Sequence, residues 1–226
     1  MNKVVVIQQV RLSSARLPKK VLAEVGGERL IDRGFRLLRQ AQDATGVPVV
    51  VAAWIGEPEL VEAAARHGLA WEPISEANSK AYDWVDLWAG WVDNLSHHDW
   101  ALHANVVCHP FLRLETLVDM IHRAQAAIWP WVSVTSERGL AWDGAGRALI
   151  EATENLSTLT APWLLRPSHL GSTASIQDMR EEVRVKHYRP EVIATQKIEL
   201  LDIDTADDLR LAQLVATGLG SRVAIK

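Results

Sequence analysis

Two short, unbroken apolar runs decide most of what this chain can fold into. Val4-Val5-Val6-Ile7 and Val49-Val50-Val51-Ala52-Ala53 contain no polar residue, the pattern of strands buried on both faces. Between them Leu30, Ile31, Gly34, Leu37, Leu38 and Ala41 recur at helical spacing through about Ala44, and Gly46-Val47-Pro48 follows. That spacing predicts a helix, and the Gly-Pro pair stops it. Strand, helix and strand in this order form a βαβ unit, which requires a parallel sheet with helices over its faces.

The unit repeats. Glu57-Pro58-Glu59 opens a short helix with acids in its first turn, where the helix dipole favours them. His67-Gly68 ends it, and Leu69 to Glu72 reads as a third strand. Ser79 to Leu95 places Tyr82, Val85, Trp88, Trp91, Val92 and Leu95 on one stripe, read as a core-facing helix rather than a base-stacking platform. Trp100 to Val107 reads as the central strand, Leu114 to Ala127 as a helix and Trp131 to Thr135 as a strand. Asp143-Gly144-Ala145-Gly146 reads as a turn between short strands at Leu140–Trp142 and Ala148–Ala152. From about Asn155 to Arg189 the periodicity fades and the segment reads as a lobe or long loop over the sheet's edge. Ile198 to Ile203 reads as the last strand, with a final helix from Asp204-Thr205 to about Val215. The expected fold is α/β: a three-layer, Rossmann-like, mainly parallel sheet flanked by helices. One domain would span 1–226, with about 130–190 as a small lobe before the last strand.

Composition removes several function classes. A formal net charge of −4 over 226 residues argues against a general nucleic-acid or membrane-surface binder. The single cysteine, Cys108, excludes an internal disulfide and suits a reducing, cytoplasmic setting. No leader segment or apolar run of membrane-spanning length is visible. His97, His98, Asp99 and His103 lack a Cys or Glu at ligand spacing and read as surface residues.

Two stretches carry chemistry. After the first strand, Arg11, Arg16, Lys19 and Lys20 share a loop with Ser13 and Ser14. A basic, Ser-rich loop at the carboxyl end of a first parallel strand is placed to hold a polyphosphate, although a solvated basic turn would carry the same residues. Near the other end, Asp202 and Asp204 lie two apart, on one face if the segment is a strand. Carboxylates are hard oxygen ligands suited to Mg²⁺, which is usually completed by substrate phosphates.

These residues resemble a family. Val10-Arg11-Leu12-Ser13-Ser14-Ala15-Arg16-Leu17-Pro18-Lys19-Lys20 is similar to the Ala-Arg-x-x-Ser-x-x-Leu-Pro-x-Lys signature of sugar-acid cytidylyltransferases. That group includes the acylneuraminate (CMP-sialic acid), octulosonate and spore-coat polysaccharide enzymes. Asp202-Ile203-Asp204-Thr205 with Asp208-Leu209 resembles the sialate branch's Asp-Ile-Asp-Thr-x-x-Asp-Leu. Pro110 with Glu115 fits the segment after the central strand, and Leu165-Arg166-Pro167 resembles the sialate Phe-Arg-Pro. The resemblance implies a nucleotidyltransferase that joins CMP from CTP to an acidic sugar, releasing pyrophosphate. Arg11, Ser13, Ser14, Arg16 and Lys20 would hold CTP, with Arg11, Lys20 and Asp204 catalytic. Asp202 and Asp204 would bind Mg²⁺, Arg166 would meet the acceptor, and the lobe would pair two copies as a homodimer.

The chain also departs from the pattern. Cys108 stands where octulosonate and spore-coat members carry a metal-binding Asp and the sialate branch a neutral Thr. A soft thiol is a poor Mg²⁺ ligand, so Cys108 reads as a small buried residue. Thr158-Leu159 replaces the sialate Arg-Gln, and Ser168-His169 replaces its Asn-Gly. The nucleotide end is therefore kept while the acceptor end has diverged. Two alternatives stay open: a nucleotide-binding homologue without turnover, and a transferase acting on a non-sugar acceptor such as a phosphonate.

Overall fold

The computed structural model describes residues 1–80, 98–127, 131–137, 141–142, 148–150, 155–165, 189–192 and 197–223. In chain order the strands begin with β1 (Val4–Gln9), β2 (Glu24–Val25), β3 (Glu28–Arg29), β4 (Val49–Trp54), β5 (Ala70–Ile74) and β6 (Trp100–His103). They continue with β7 (Trp131–Glu137), β8 (Ala141–Trp142), β9 (Ala148–Ile150), β10 (Asn155–Leu165) and β11 (Arg189–Val192). The helices are α1 (Leu30–Thr45), α2 (Pro58–Arg66), α3 (Glu76–Lys80), α4 (Leu114–Ala126) and α5 (Ala206–Val223).

Among the described residues seven strands form one sheet in the order β11-β7-β10-β6-β1-β4-β5. The pairs β1–β4, β1–β6, β4–β5 and β7–β11 are parallel, whereas β10 runs antiparallel to both β6 and β7. β1 is buried on both faces, as its unbroken apolar run requires: Val4, Val5, Val6 and Ile7 are all under 5% exposed. Val4 and Val6 join Val49, Val51, Trp100 and Leu102 in a core closed by Phe35 and Leu38 of α1, Leu60 of α2 and Leu117 and Ile121 of α4. Each such apolar side chain contributes about 1.5–3 kcal/mol when fully removed from water. The expected Rossmann-like, mainly parallel α/β sheet is the fold observed.

Three details differ from the sequence reading. The central strand stops at His103 rather than Val107. Buried Gln8 is the cause: its Oε1 accepts from the Val106 N–H at 2.8 Å and the Val107 N–H at 3.4 Å, turning the chain out of the sheet. Residues 155–165 are a strand, not part of a covering loop. Pro162 and a register shift between Thr158 and Trp163 break the period-two pattern that would have revealed it. Finally, 198–203 is no strand. β1 and β10 occupy both edges of β6, and Lys197–Leu200 winds instead into a 3-10 turn. That turn lets buried Glu199 accept from the Arg113 N–H at 3.1 Å and its guanidinium at 2.8 Å. The paired strands β8 and β9 match the expected hairpin, though its turn and the Trp-rich stripe over 81–95 lie outside the described residues. No helix among the described residues is long and apolar enough to cross a membrane.

Helix α1 presses against the turn after β6 at Gly34, where an added Cβ would lie 2.8 Å from both Cα and Cγ2 of Val107. Gly34→Ala should therefore destabilise the protein by about 1–3 kcal/mol despite alanine's better helix propensity. Urea denaturation measures this, and an unchanged midpoint would contradict the close approach.

Candidate functional site

Strand order reverses at β1, with β4 on one side and β6 on the other. The carboxyl ends of strands at such a switch point form the crevice where open α/β sheets bind ligands. A cleft of about 490 Å³ lies there, lined by residues 8–11, Ser14, Arg16, Lys20, His103, Asn105, Cys108 and Asp204 among others.

The loop between β1 and α1 folds back on itself around Leu12. Its carbonyl accepts from Ser14 N–H at 3.0 Å and Lys19 N–H at 2.9 Å. Lys19 sits in the left-handed region (φ 57°) and starts a 3-10 turn over Lys20–Leu22. The loop thus directs Arg11, Ser14, Arg16 and Lys20 to the cleft. Ser13 turns elsewhere, donating from Oγ to the Ser79 carbonyl at 3.2 Å, and Arg11 Nη1 donates to the same carbonyl at 3.4 Å.

Lys20 is the centre of the site. Its Nζ donates to the Ile203 carbonyl at 2.9 Å and to Asp204 Oδ1 at 2.8 Å, while Arg16 Nη2 meets Asp204 Oδ2 at 2.6 Å. The two pairs differ in weight: the Lys20 side chain is 14% exposed and that of Arg16 is 67% exposed. The exposed Arg16 pair contributes little to stability, and its guanidinium is available to move. Burial works against the Lys20 charge, but nearby negative charge, from Cys108 once its thiol ionises and from Asp204 and Asp202, more than offsets it and holds the Lys20 pKa above the usual lysine value.

Asp204 is placed by the start of α5. Thr205 caps that helix: its Oγ1 accepts from the Asp208 N–H at 3.2 Å, and Asp208 Oδ2 accepts from the Thr205 N–H at 2.7 Å. This reciprocal capping box explains Thr205 and Asp208 in the carboxyl-terminal motif as helix-starting residues. Asp202 and Asp204 lie on an irregular segment, so strand alternation does not place them. One Asp202 carboxylate oxygen is sealed from solvent, and its charge acts on both Lys20 and Cys108. Cys108 is buried, as expected, and burial pushes its thiol up to about 11, so it stays protonated at neutral pH. Arg166 lies outside the described residues.

Sequence reasoning missed Gln8, Gln9, His103 and Asn105, all of which line the cleft. Gln8 was hidden inside an apolar strand. His103 was read as a surface histidine, yet it stands at the end of β6, in register with Ile7, and lines the cleft. Burial pulls its pKa down to about 4, so the ring is neutral at pH 7.

With this geometry in hand, the comparisons with known proteins are informative. Residues 5–66 match the cytidylyltransferase family model. The match runs from β1 through the basic loop to the end of α2. No curated protein sequence matches the chain. Among solved structures, a CMP:2-keto-3-deoxy-manno-octonic acid synthetase complexed with CTP has a TM-score of 0.68 at 17% identity, covering 96% of this chain and 99% of that one. The 4-diphosphocytidyl-2C-methyl-D-erythritol synthase of Anaerococcus prevotii DSM 20548 has a TM-score of 0.64 at 11% identity, covering 96% of each chain. Rv0371c of Mycobacterium tuberculosis H37Rv, in complex with manganese, has a TM-score of 0.58 at 13% identity, covering 95% and 99%. At such identities the likeness establishes the nucleotidyltransferase fold.

His103 gives the site a signature in acid. Its unfolded pKa near 6.5 exceeds its folded value of about 4, so below about pH 6.5 the unfolded chain binds a proton that the folded one refuses. Stability should fall through the window from about 6.5 to 4, with a slope approaching about 1.4 kcal/mol per pH unit from this group. His103→Gln should remove that component, seen as a smaller difference between denaturation midpoints at pH 7 and pH 5.

Proposed function

We propose that this protein is a cytidylyltransferase that transfers CMP from CTP to an acidic sugar and releases pyrophosphate. The observation that carries the reading is the convergence of Lys20, Arg16, Arg11, Ser14 and Asp204 on one cleft at the switch point. Those residues come from two motifs at opposite ends of the chain. The family match over 5–66 and the CTP complex of a structural neighbour support cytidine as the base.

The acceptor's hydroxyl oxygen attacks the α-phosphorus as its proton passes to water; a phosphorus–oxygen bond forms, the bond from the α-phosphorus to the bridging oxygen breaks, and pyrophosphate leaves. Such a reaction needs positioning and charge neutralisation more than covalent catalysis. Arg11, Arg16 and Lys20 supply fixed positive charge for the phosphates, and Ser14 adds a hydroxyl donor. Before nucleotide binds, Asp204 holds Lys20 and Arg16 in place. An incoming triphosphate then competes for these cations and releases the Asp204 carboxylate.

Asp202 and Asp204 fit a hard divalent cation such as Mg²⁺, since both offer carboxylate oxygens and the protonated Cys108 thiol does not compete. Among the described residues no three such ligands cluster, so phosphate oxygens and water would complete the shell. The manganese complex of one neighbour is consistent with this. The ion would neutralise charge on the phosphates and polarise the α-phosphoryl group. Arg166 and the 130–190 lobe are assigned to the acceptor and to pairing in a homodimer.

Pyrophosphate release from CTP and Mg²⁺ with a panel of sugar acids and phosphonates tests the reading. Release with a sugar acid is expected; CTP binding without release from any acceptor would favour a homologue that binds and does not turn over. Asp204→Asn should lower turnover by at least about 100-fold with the fold intact, the scale of losing one charged transition-state contact; wild-type-like activity would remove Asp204 from the metal and catalytic roles. Lys20→Ala should weaken CTP binding and flatten its dependence on salt, measured by titration calorimetry at two ionic strengths.

A further inference from the structure

Behind the phosphate loop, outside the cleft, lies a buried carboxylate. Glu57 is 8% exposed and precedes α2. Its side chain reaches back to the loop rather than capping its own helix. Oε1 accepts from the Leu12 N–H at 3.0 Å, and Oε2 accepts from the Ser79 hydroxyl at 3.4 Å. Each partner is a hub. Leu12 also closes the loop by taking the Ser14 and Lys19 N–H groups on its carbonyl. The Ser79 carbonyl receives both Arg11 Nη1 and Ser13 Oγ.

We infer that Glu57 is a positioning residue for nucleotide binding: one buried carboxylate fastens the phosphate loop to α3 and so fixes the direction of Arg11. A carboxylate is suited to this because it accepts on both oxygens at once and holds a backbone N–H more strongly than a neutral acceptor does. A buried charge is costly unless hydrogen-bonded, so its presence beneath a loop of four cations argues for a role in loop geometry. Glutamine has the same length but no charge: its oxygen holds the Leu12 N–H as a weaker, neutral acceptor and its amide nitrogen can only donate to the Ser79 Oγ, so both tethers slacken. The inference rests on the proposed nucleotide site, which the loop serves.

The test is Glu57→Gln in the full chain, with two readouts. Hydrogen exchange should quicken at the amides from Leu12 to Leu17, while β1 and α1 keep their protection. Affinity for CTP and for inorganic pyrophosphate should each fall by up to about tenfold, the scale of exchanging hydrogen bonds to a charged acceptor for neutral ones. KM for nucleotide should rise more than kcat falls. Ser79→Ala removes only one of the two tethers and should give a smaller loss of the same kind, which keeps the idea testable if Glu57→Gln folds poorly. Asp32→Asn, an acid in a surface ion-pair network between α1 and α2, should leave both readouts unchanged. Unaltered loop exchange in Glu57→Gln would overturn the inference. Wild-type protein that binds neither CTP nor pyrophosphate would instead overturn the nucleotide reading, and exchange would still decide the role of Glu57.

Discussion

The Lys20 ammonium is where fold and site meet. It is largely withdrawn from water and must be matched by acceptors, and those acceptors come from 183 and 184 residues further along the chain. The contact brings the segment around Ile203 and Asp204 against the loop after β1. That segment has no free edge of β6 to pair with, so it is held by individual bonds. These are Lys20 to Ile203, the Ile203 N–H to the Cys108 carbonyl, and Glu199 to Arg113. Helix α5 then starts where the capping box dictates. One cation therefore does for the tail what a strand ladder does elsewhere in the sheet.

Around this centre the cleft divides by electrostatic character. The loop side presents guanidinium, ammonium and carboxylate. The ends of the strands add the amides of Gln9, which closes β1, and of Asn105, which follows β6, with the neutral imidazole of His103. Charged groups suit the polyphosphate of a nucleotide, whose oxygens develop and redistribute charge during transfer. Uncharged donors and acceptors suit base edges and hydroxyls, which need directional bonds and no neutralisation.

How far the sequence could be read depended on range. Features set by neighbouring residues were legible: the β-branched runs, the periodicity of α1, the glycine stop, and a final helix opening at Asp204-Thr205. The pairing of the two motifs was also legible, because their chemistries require each other. What stayed hidden was set by distant partners. Gln8 ends β6 early by bonding to Val106 and Val107, and nothing in the local sequence of either stretch announces that. Ile198–Ile203 is apolar enough for a strand, but whether it becomes one depends on which edges β10 and β1 have already taken. Glu57 looked like an ordinary first-turn acid, since only the folded chain brings Leu12 and Ser79 to it. His103 looked like one of several histidines until the sheet placed it at the end of β6.

The antiparallel course of β10 sets two parts of the sheet apart. In its register with β6, Trp163 sits beside His103 and Leu165 beside Ala101, so the residues before Trp163 extend past the cleft end of the sheet. There, Thr158 to Trp163 runs opposite only Val134 to Val132 of β7. Over this stretch β10 carries three more residues than β7, and β1, which pairs with β4 and β6, forms no ladder with them, so a change of length here would leave the ladders of β1 and the loop that follows it in place.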